Sequence, residues 1–333
     1  MTKPTVSVLL LTWNSRRLVG EALASVWAQT REPDEVIVVD NASSDGTPEQ
    51  VEAIAGGRAR LVVMTRNHGY SGGFNRGLRL AGGDFLLLLN PDVRLDPDFI
   101  EQALRGFEDP RVGIVAGLLL RPDRRTVDSS GLFLARSRKT VDRGFSVPFD
   151  PARDQAGPVL SACGAAPFYR REMIEDIADG QEFFDESYFA FREDLEVGWR
   201  AWRAGWKAVC RPEAVAVHLR SGGAGRGKLG LAFTRSPELT AHIIKNRYLS
   251  LLRHDRPGSL LADLPWWLPR EVAQLGACLL LRPQVLAELW RYRSLLARAW
   301  RRRRDDRDRR GRWGAWTRRV PPRGLWKPGR EVL

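Results

Sequence analysis

The chain has 333 residues, 43% of them hydrophobic and 28% charged, with 12 tryptophans and a formal net charge of +13. An apolar fraction near the globular average and so many indole rings require a packed interior, so a largely disordered chain is excluded. The charge is uneven: residues 291–333 carry 16 basic and 4 acidic groups, a net of +12, and the first 290 residues carry +1, which excludes a protein that coats nucleic acid through a uniformly basic surface.

The first half alternates short β-rich runs with helical patterns, the signature of a mostly parallel sheet covered by helices. In chain order the pattern predicts a strand over Val6–Trp13, a helix over Arg17–Gln29, a strand over Glu35–Asn41 and a helix over Thr47–Ala55. A strand over Arg60–Thr65, a helix over Gly72–Ala81, a strand over Asp84–Asn90, a helix over Asp98–Phe107 and a strand over Val112–Ala116 follow. Runs such as Val36–Val39 and Leu86–Leu89 are continuously apolar, as expected of strands covered on both faces. Leu118–Leu160 loosens into Arg, Asp, Ser and Pro and is expected to cross the sheet edge. Order returns with helices near Arg170–Ala178 and Asp194–Ala204 and a strand over Ala214–His218. The Ser221–Gly227 segment is too glycine-rich to hold one conformation, and its Gly222–Gly227 part, with Arg226 and Lys228, is read either as a lid or as a linker.

Cys163, Cys210 and Cys278 are odd in number and widely spaced, so neither a disulfide framework nor a zinc knuckle is indicated. No small-residue cleavage site separates Met1 from the first strand, and a cytoplasmic location is expected. Val272–Leu281 is the longest uncharged run within Leu260–Leu281, well short of the roughly 20 residues that cross a bilayer.

Open α/β sheets bind ligands outside the carboxyl ends of their strands. Four consecutive strands deliver polar groups there: Thr12-Trp13-Asn14-Ser15, Asp40-Asn41-Ala42-Ser43, Arg66-Asn67-His68-Gly69 and Asn90-Pro91-Asp92. Asn, Asp and Ser in such places also serve as turn formers and caps. Asp40 and Asp92 stand out, because each ends a buried apolar run where an unpaired carboxylate is costly. The first turn has no G-x-G-x-x-G, which disfavours a dinucleotide fold. Gly69, Gly72, Gly73 and Gly77 come after the third strand, where they permit either close approach to a ligand or close helix-to-sheet packing. Glu193 and Asp194 follow an aromatic run and open an amphipathic helix. Adjacent carboxylates amid aromatic rings are desolvated and repel each other, which raises the pKa of one toward that of a general base.

The ordered set VSVLLLTWNS, VIVVDNASSDGT, NHGYSGGFNRGL, LLLLNPDV, CGAAPFYRR, FFDESYFAFREDLEVGWRAWRAGW and VAVHLRSGG resembles the inverting family 2 glycosyltransferases, in particular rhamnosyltransferase-like members. The resemblance implies a GT-A catalytic domain over residues 1–230, with a nucleotide-sugar half at about 1–116 and an acceptor half at about 160–223. A helical membrane-proximal extension over 231–300 and a basic tail over 301–333 complete the division. It places Thr12, Asn14 and Asp40 around the base and ribose, with Asn67, Gly69, Gly73, Asn75 and Asn90 also on the nucleotide-sugar. Asp92 stands at the last position of the family's Asp-x-Asp element, whose first acid is replaced by Asn90, and His218 matches a position that sometimes adds a metal ligand. The implied cofactor is Mg²⁺ or Mn²⁺. Asp194 is implied as the base that deprotonates the acceptor hydroxyl, Glu193 as the group that orients it, and Arg200 as a cation holding the acid pair or the diphosphate. The implied reaction is a single displacement with inversion, from a nucleotide-sugar donor, dTDP-rhamnose by resemblance, to a lipid-linked or polysaccharide acceptor.

Val285, Leu286, Leu289, Tyr292, Leu296 and Trp300 recur at helical spacing among Arg291, Arg298 and Arg301–Arg304. The pattern suits either adsorption of residues 285–333 to an anionic membrane surface at the inner face of the cell membrane or packing on the catalytic body. A sugar-phosphate nucleotidyltransferase would show a glycine-rich basic loop after the first strand, which is missing. A nucleic-acid-binding adaptor would work through the Arg-Trp tail alone, and no nucleic acid is expected as a partner.

Overall fold

The computed structural model describes residues 3–220, 236–255 and 257–308, with side chains through Arg303. The chain divides into two units: residues 1–133 with 141–221, and residues 134–140 with those from 222 onward.

In the first unit, strands β1 (Val6–Thr12), β2 (Glu35–Asp40), β3 (Arg60–Val63) and β4 (Phe85–Leu89) alternate with helices α1 (Val19–Trp27), α2 (Thr47–Ala55) and α3 (Gly69–Leu78). Each strand reads as an apolar run because helices cover both faces of the sheet. Val8, Leu10, Val38 and Leu87 face one layer, and Leu9, Ile37, Leu86 and Leu88 face the other. β5 (Val93–Leu95), α4 (Phe99–Leu104), β6 (Val112–Leu120), β7 (Val127–Ser129), β8 (Leu132–Leu134), β9 (Thr140–Asp142) and β10 (Gly157–Val159) follow. The unit closes with β11 (Pro167–Arg170), α5 (Arg171–Ile177), α6 (Glu193–Arg203) and β12 (Lys207–His218).

Among the described residues the main sheet has ten strands, in the order β10-β12-β6-β11-β4-β1-β2-β3, with β5 beside β12 and β7 beside β6. It is mostly parallel in its paired residues, β6 with β12 included, and short antiparallel strands are added beside β4, β6 and β12. β1 to β4 pair in parallel, but β11 enters antiparallel between β4 and β6. The connections after β1 and after β3 leave in opposite directions across the sheet, which opens a crevice at the carboxyl ends of β1 and β4. β12 is longer than the pattern suggested because Lys207–Arg211 also pairs with β6 before a register shift that takes up Pro212 to Ala214. The expected excursion over Leu118–Leu160 forms β7, the β8–β9 hairpin and β10.

The second unit holds the loop 134–140 and helices α7 (Pro237–His254), α8 (Pro257–Ala262), α9 (Leu264–Leu281), α10 (Pro283–Arg291) and α11 (Arg293–Asp308). Arg138, almost wholly buried, pairs with Asp255 and, at 2.7 Å, with Asp263. Val285, Leu286, Leu289 and Tyr292 pack with Ala241 and Ile244 of α7, so that part of the stripe considered for lipid adsorption is the unit's own core. The Ser221–Gly227 lid or linker and the tail beyond residue 308 lie outside the described residues.

Candidate active site

At the β1 and β2 ends, Thr12 and Asp40 are register partners. The Thr12 hydroxyl donates to Asp40 Oδ1 at 2.8 Å, and Asp40 Oδ2 accepts the Ser43 N–H at 2.8 Å. Asn14 sits at φ +49°, where its Oδ1 accepts the Ser44 N–H at 2.9 Å while its own N–H donates to Ser43 Oγ. Together they tie the turns after β1 and β2 into one rim. Asn67 Oδ1 accepts the Gly69 N–H at 2.7 Å, and Asn41 donates to the Gly69 carbonyl, fixing the entry to α3.

Asp92 and His218 meet because β5 pairs antiparallel with the end of β12, with Val93 opposite His218. The Leu219 N–H donates to the Asp92 carbonyl at 2.9 Å, and His218 Nε2 stands 3.5 Å from Asp92 Oδ2. On its other side, His218 Nδ1 is 2.8 Å from Asp128 Oδ2. Asp128 is fully buried on β7 and also accepts from Arg220. Burial opposes the charged imidazole, but hydrogen bonds to Asp128 and Asp92 outweigh it and push His218 up to about 9.

A divalent cation suits this arrangement. With Nδ1 held by a carboxylate, Nε2 is directed toward Asp92, the usual orientation of a metal-ligating histidine. Among the described residues no three His, Cys, Asp or Glu side chains gather to hold a metal by themselves. Such a donor set matches an ion that completes its shell with phosphate oxygens and water.

Asp194 lies in the first turn of α6. Its Oδ2 accepts the Gly164 N–H at 2.9 Å, and Oδ1 accepts the Leu195 N–H at 2.7 Å. The neighbouring Ala165 carbonyl accepts the Asn90 N–H at 2.9 Å, and the Gly164 carbonyl accepts the Tyr70 hydroxyl at 2.8 Å. Two consecutive residues of the 161–165 loop therefore bridge the acid and the Asn90–Asp92 turn. Burial raises the Asp194 pKa, opposed by those two N–H donors and by Arg192. Glu193 is more deeply buried, with Oε2 lacking a hydrogen-bond partner, and desolvation plus the Asp194 charge raise its pKa well above the carboxylate range. Both acids of the pair are thus raised, Glu193 with no opposing side-chain partner and Asp194 against two N–H donors.

The backbone leading into the pair is strained. Phe189, Phe191 and Arg192 all have positive φ, at +60°, +71° and +76°, which costs on the order of 1–3 kcal/mol per residue. Gly69 accommodates the segment: at φ +69°, a Cβ there would lie 2.3 Å from the Phe189 carbonyl oxygen. The Ser71 N–H, in the first turn of α3, donates to that same carbonyl.

Three residues expected in the site are engaged elsewhere. Arg200 does not hold the acid pair; its guanidinium pairs with Glu196 at 2.8 Å and donates to the carbonyls of Ile177 and Phe183. Asn75 bonds both the N–H and the carbonyl of Phe184 and reaches Glu186 Oε1, so it fastens the segment preceding the acids. Gly73 serves close packing, since a Cβ there would sit 2.4 Å from Leu11 Cδ1.

Asp128, Arg220 and Asp142 escaped the sequence reading. Asp142, half-buried on β9, is raised to about 6 by burial, against a Ser129 hydrogen bond and Arg220, and with reinforcement from Asp194 and Asp128. The one signal available was the Val127-Asp128-Ser129 run of a β-branched residue before an acid, which repeats the apolar-then-acid ending of β2. Cys163 is no candidate nucleophile, because burial and the nearby Asp142 and Asp194 charges raise its thiol pKa well above the ordinary value.

The sequence matches the glycosyl transferase family 2 profile over residues 7–178. Over 295 residues it is 28% identical to an N-acetylglucosaminyl-diphospho-decaprenol L-rhamnosyltransferase of Mycobacterium tuberculosis, covering 80% of this chain and 90% of that protein. It is 23% identical over 217 residues to a poly-beta-1,6-N-acetyl-D-glucosamine synthase of Staphylococcus aureus, covering 64% and 50%. Among solved structures, the fold is similar to a Pyrobaculum calidifontis mannosyltransferase in complex with GDP-Man and Mn²⁺, with TM-score 0.56, 21% identity and 94% and 88% of the two chains covered. It is also similar to S. aureus TarS 1–349 in complex with UDP-GlcNAc, with TM-score 0.57, 19% identity and 91% and 89% covered. The architecture is that of the GT-A glycosyltransferases.

Proposed function

The chain belongs to glycosyl transferase family 2, and from that membership we propose that it moves a sugar from a nucleotide-sugar, with inversion, onto a lipid-linked or polysaccharide acceptor. Rhamnose from dTDP-rhamnose is the proposed donor pair, and a membrane-borne sugar diphosphate the proposed acceptor class, by similarity to the mycobacterial rhamnosyltransferase.

The observation that carries this reading is the link through Gly164 and Ala165, which fastens the Asp194 carboxylate to the turn bearing Asp92. An acid that accepts a proton from the incoming hydroxyl must be held at a fixed offset from the departing diphosphate, and a short backbone segment does so. Asp194 takes the acceptor proton; its elevated pKa makes it a better base than an exposed aspartate. Glu193, buried beside Asp194 with its pKa raised by desolvation and by the Asp194 charge, orients the acceptor. Thr12, Asn14 and Asp40 form the rim for the base and ribose, with Asn67, Gly69 and Asn90 lining the approach of the sugar diphosphate. Asp92 and His218 hold Mg²⁺ or Mn²⁺, which when bound neutralises charge on the leaving diphosphate. Asp128 keeps the His218 ring oriented. The enzyme works at the inner face of the cell membrane, where such acceptors are anchored.

The test is a donor screen. Purified protein is given dTDP-rhamnose, UDP-sugars or GDP-mannose with a lipid-linked N-acetylglucosamine diphosphate, and release of nucleoside diphosphate is measured with and without Mg²⁺ or Mn²⁺. Divalent-dependent release that requires the acceptor is expected, greatest with dTDP-rhamnose. No turnover with any donor in the presence of membrane extract overturns the reading.

A further inference from the structure

Helix α9 (Leu264–Leu281) presents its apolar side to solvent and its acid to the interior. Glu271 is buried, paired with Arg247 and accepting the Tyr248 hydroxyl at 2.7 Å. Outward lie Trp266, Leu268, Val272, Leu279, Leu280 and Leu281, with Val272 63% and Leu280 81% exposed. An apolar patch of this kind marks an interaction surface. The chain bends by 110° into α10, where Trp290 is exposed as well. No single described helix is long and apolar enough to cross a membrane. At 18 residues, interrupted by Pro269, α9 is about 27 Å long.

We propose that the outer face of α9 beds in the plane of a lipid monolayer, its Leu and Trp side chains among the acyl chains and its flanking arginines at anionic headgroups. This rests on the membrane reading given above and moves the contact from the cations of 285–333 to residues 264–281. Charge selects the occupant. Arg270 on α9 and Arg293 beyond it are exposed, and Arg291, exposed as well, is paired with Glu288 of its own helix, which leaves the rim net positive. A second copy docking face to face would set that positive rim against itself, and the chain's own residues 309–333, with eight cations and one acid, meet the same repulsion. Anionic lipid is the partner that such a rim attracts, and exposed tryptophans suit the headgroup boundary.

The full chain is sedimented with phosphatidylcholine vesicles and with phosphatidylcholine–phosphatidylglycerol vesicles, at low and high salt. Binding that persists in high salt is expected, because acyl-chain contact is unscreened, and Leu280→Asp and Val272→Asp should each cut partitioning about tenfold. Val63→Asp, at an exposed site of the first unit, should bind as the parent does. Thermal melts of the α9 variants should match the parent, since both positions are exposed. Parent-like partitioning of both α9 variants overturns the proposal, as does a parent dimer in vesicle-free buffer that Leu280→Asp dissociates. Acceptor-dependent release of nucleoside diphosphate, assayed separately, reports on the transferase reading, so the two failures are distinguishable.

Discussion

The buried carboxylate of Asp128 stands 2.8 Å from His218 Nδ1 and fixes which imidazole nitrogen faces Asp92. Removing such an orienting acid typically weakens a metal site 10–100-fold. Asp128→Asn should therefore lower Mn²⁺ affinity by about tenfold or more, read from the paramagnetic signal of free Mn²⁺ on titration. His218→Ala, which removes the ring itself, should lower it further.

Asp194→Asn should reduce kcat by roughly 10²–10⁴-fold while nucleotide affinity, measured calorimetrically with the diphosphate product, stays near that of the parent. Equal loss of both would count against the base assignment. Because burial raises the Asp194 pKa, the acidic limb of kcat/KM should inflect above 3.8, the ordinary aspartate value.

Glu193 has a folded-state pKa above its unfolded value of 4.5. The folded state therefore holds the proton more tightly, and the associated stability is complete below 4.5 and is lost as pH rises through the folded pKa. Glu193→Gln has no such loss. The Tm difference between this variant and the parent should grow in favour of Gln as pH increases above 4.5, followed by melts across a pH series.

Arg200→Met should act on stability rather than on chemistry. It takes the Arg200 guanidinium away from buried Glu196, and breaking a buried pair in this way costs about 3–5 kcal/mol. Chemical denaturation should show that loss, and replacing Glu196 by Leu in the same chain should recover part of it.

Gly69→Ala should impair catalysis at a distance from the acids. The added methyl group collides with the Phe189 carbonyl at a backbone φ of +69° and must displace the strained Phe189–Arg192 segment. A destabilisation of at least about 1 kcal/mol and a fall in kcat exceeding the fall in nucleotide affinity are expected.

The parallel half of the sheet was legible because Val36–Val39 and Leu86–Leu89 are short, continuously apolar runs bounded by turn residues, as strands covered on both faces are. β11 was not, since Pro167–Arg170 is short and its burial depends on strands β4 and β6 that are distant in sequence. Asp128 was hidden for a related reason. Val-Asp-Ser-Ser-Gly resembles a turn until β7 folds against β6 and brings it to His218. Arg200 and Asn75 looked like ligand-binding groups because charge and amide character are visible in sequence. Their actual partners, the carbonyls of Ile177, Phe183 and Phe184, are backbone atoms that no pattern of side chains announces.

The bridge made by Gly164 and Ala165 has a mechanical consequence. Their Cα atoms are held about 3.8 Å apart across a trans peptide, so the Asp194 carboxylate and the Asn90–Asp92 turn are tied through one peptide unit with a hydrogen bond at each end. A displacement of the 161–165 loop would therefore move both of its anchor points at once.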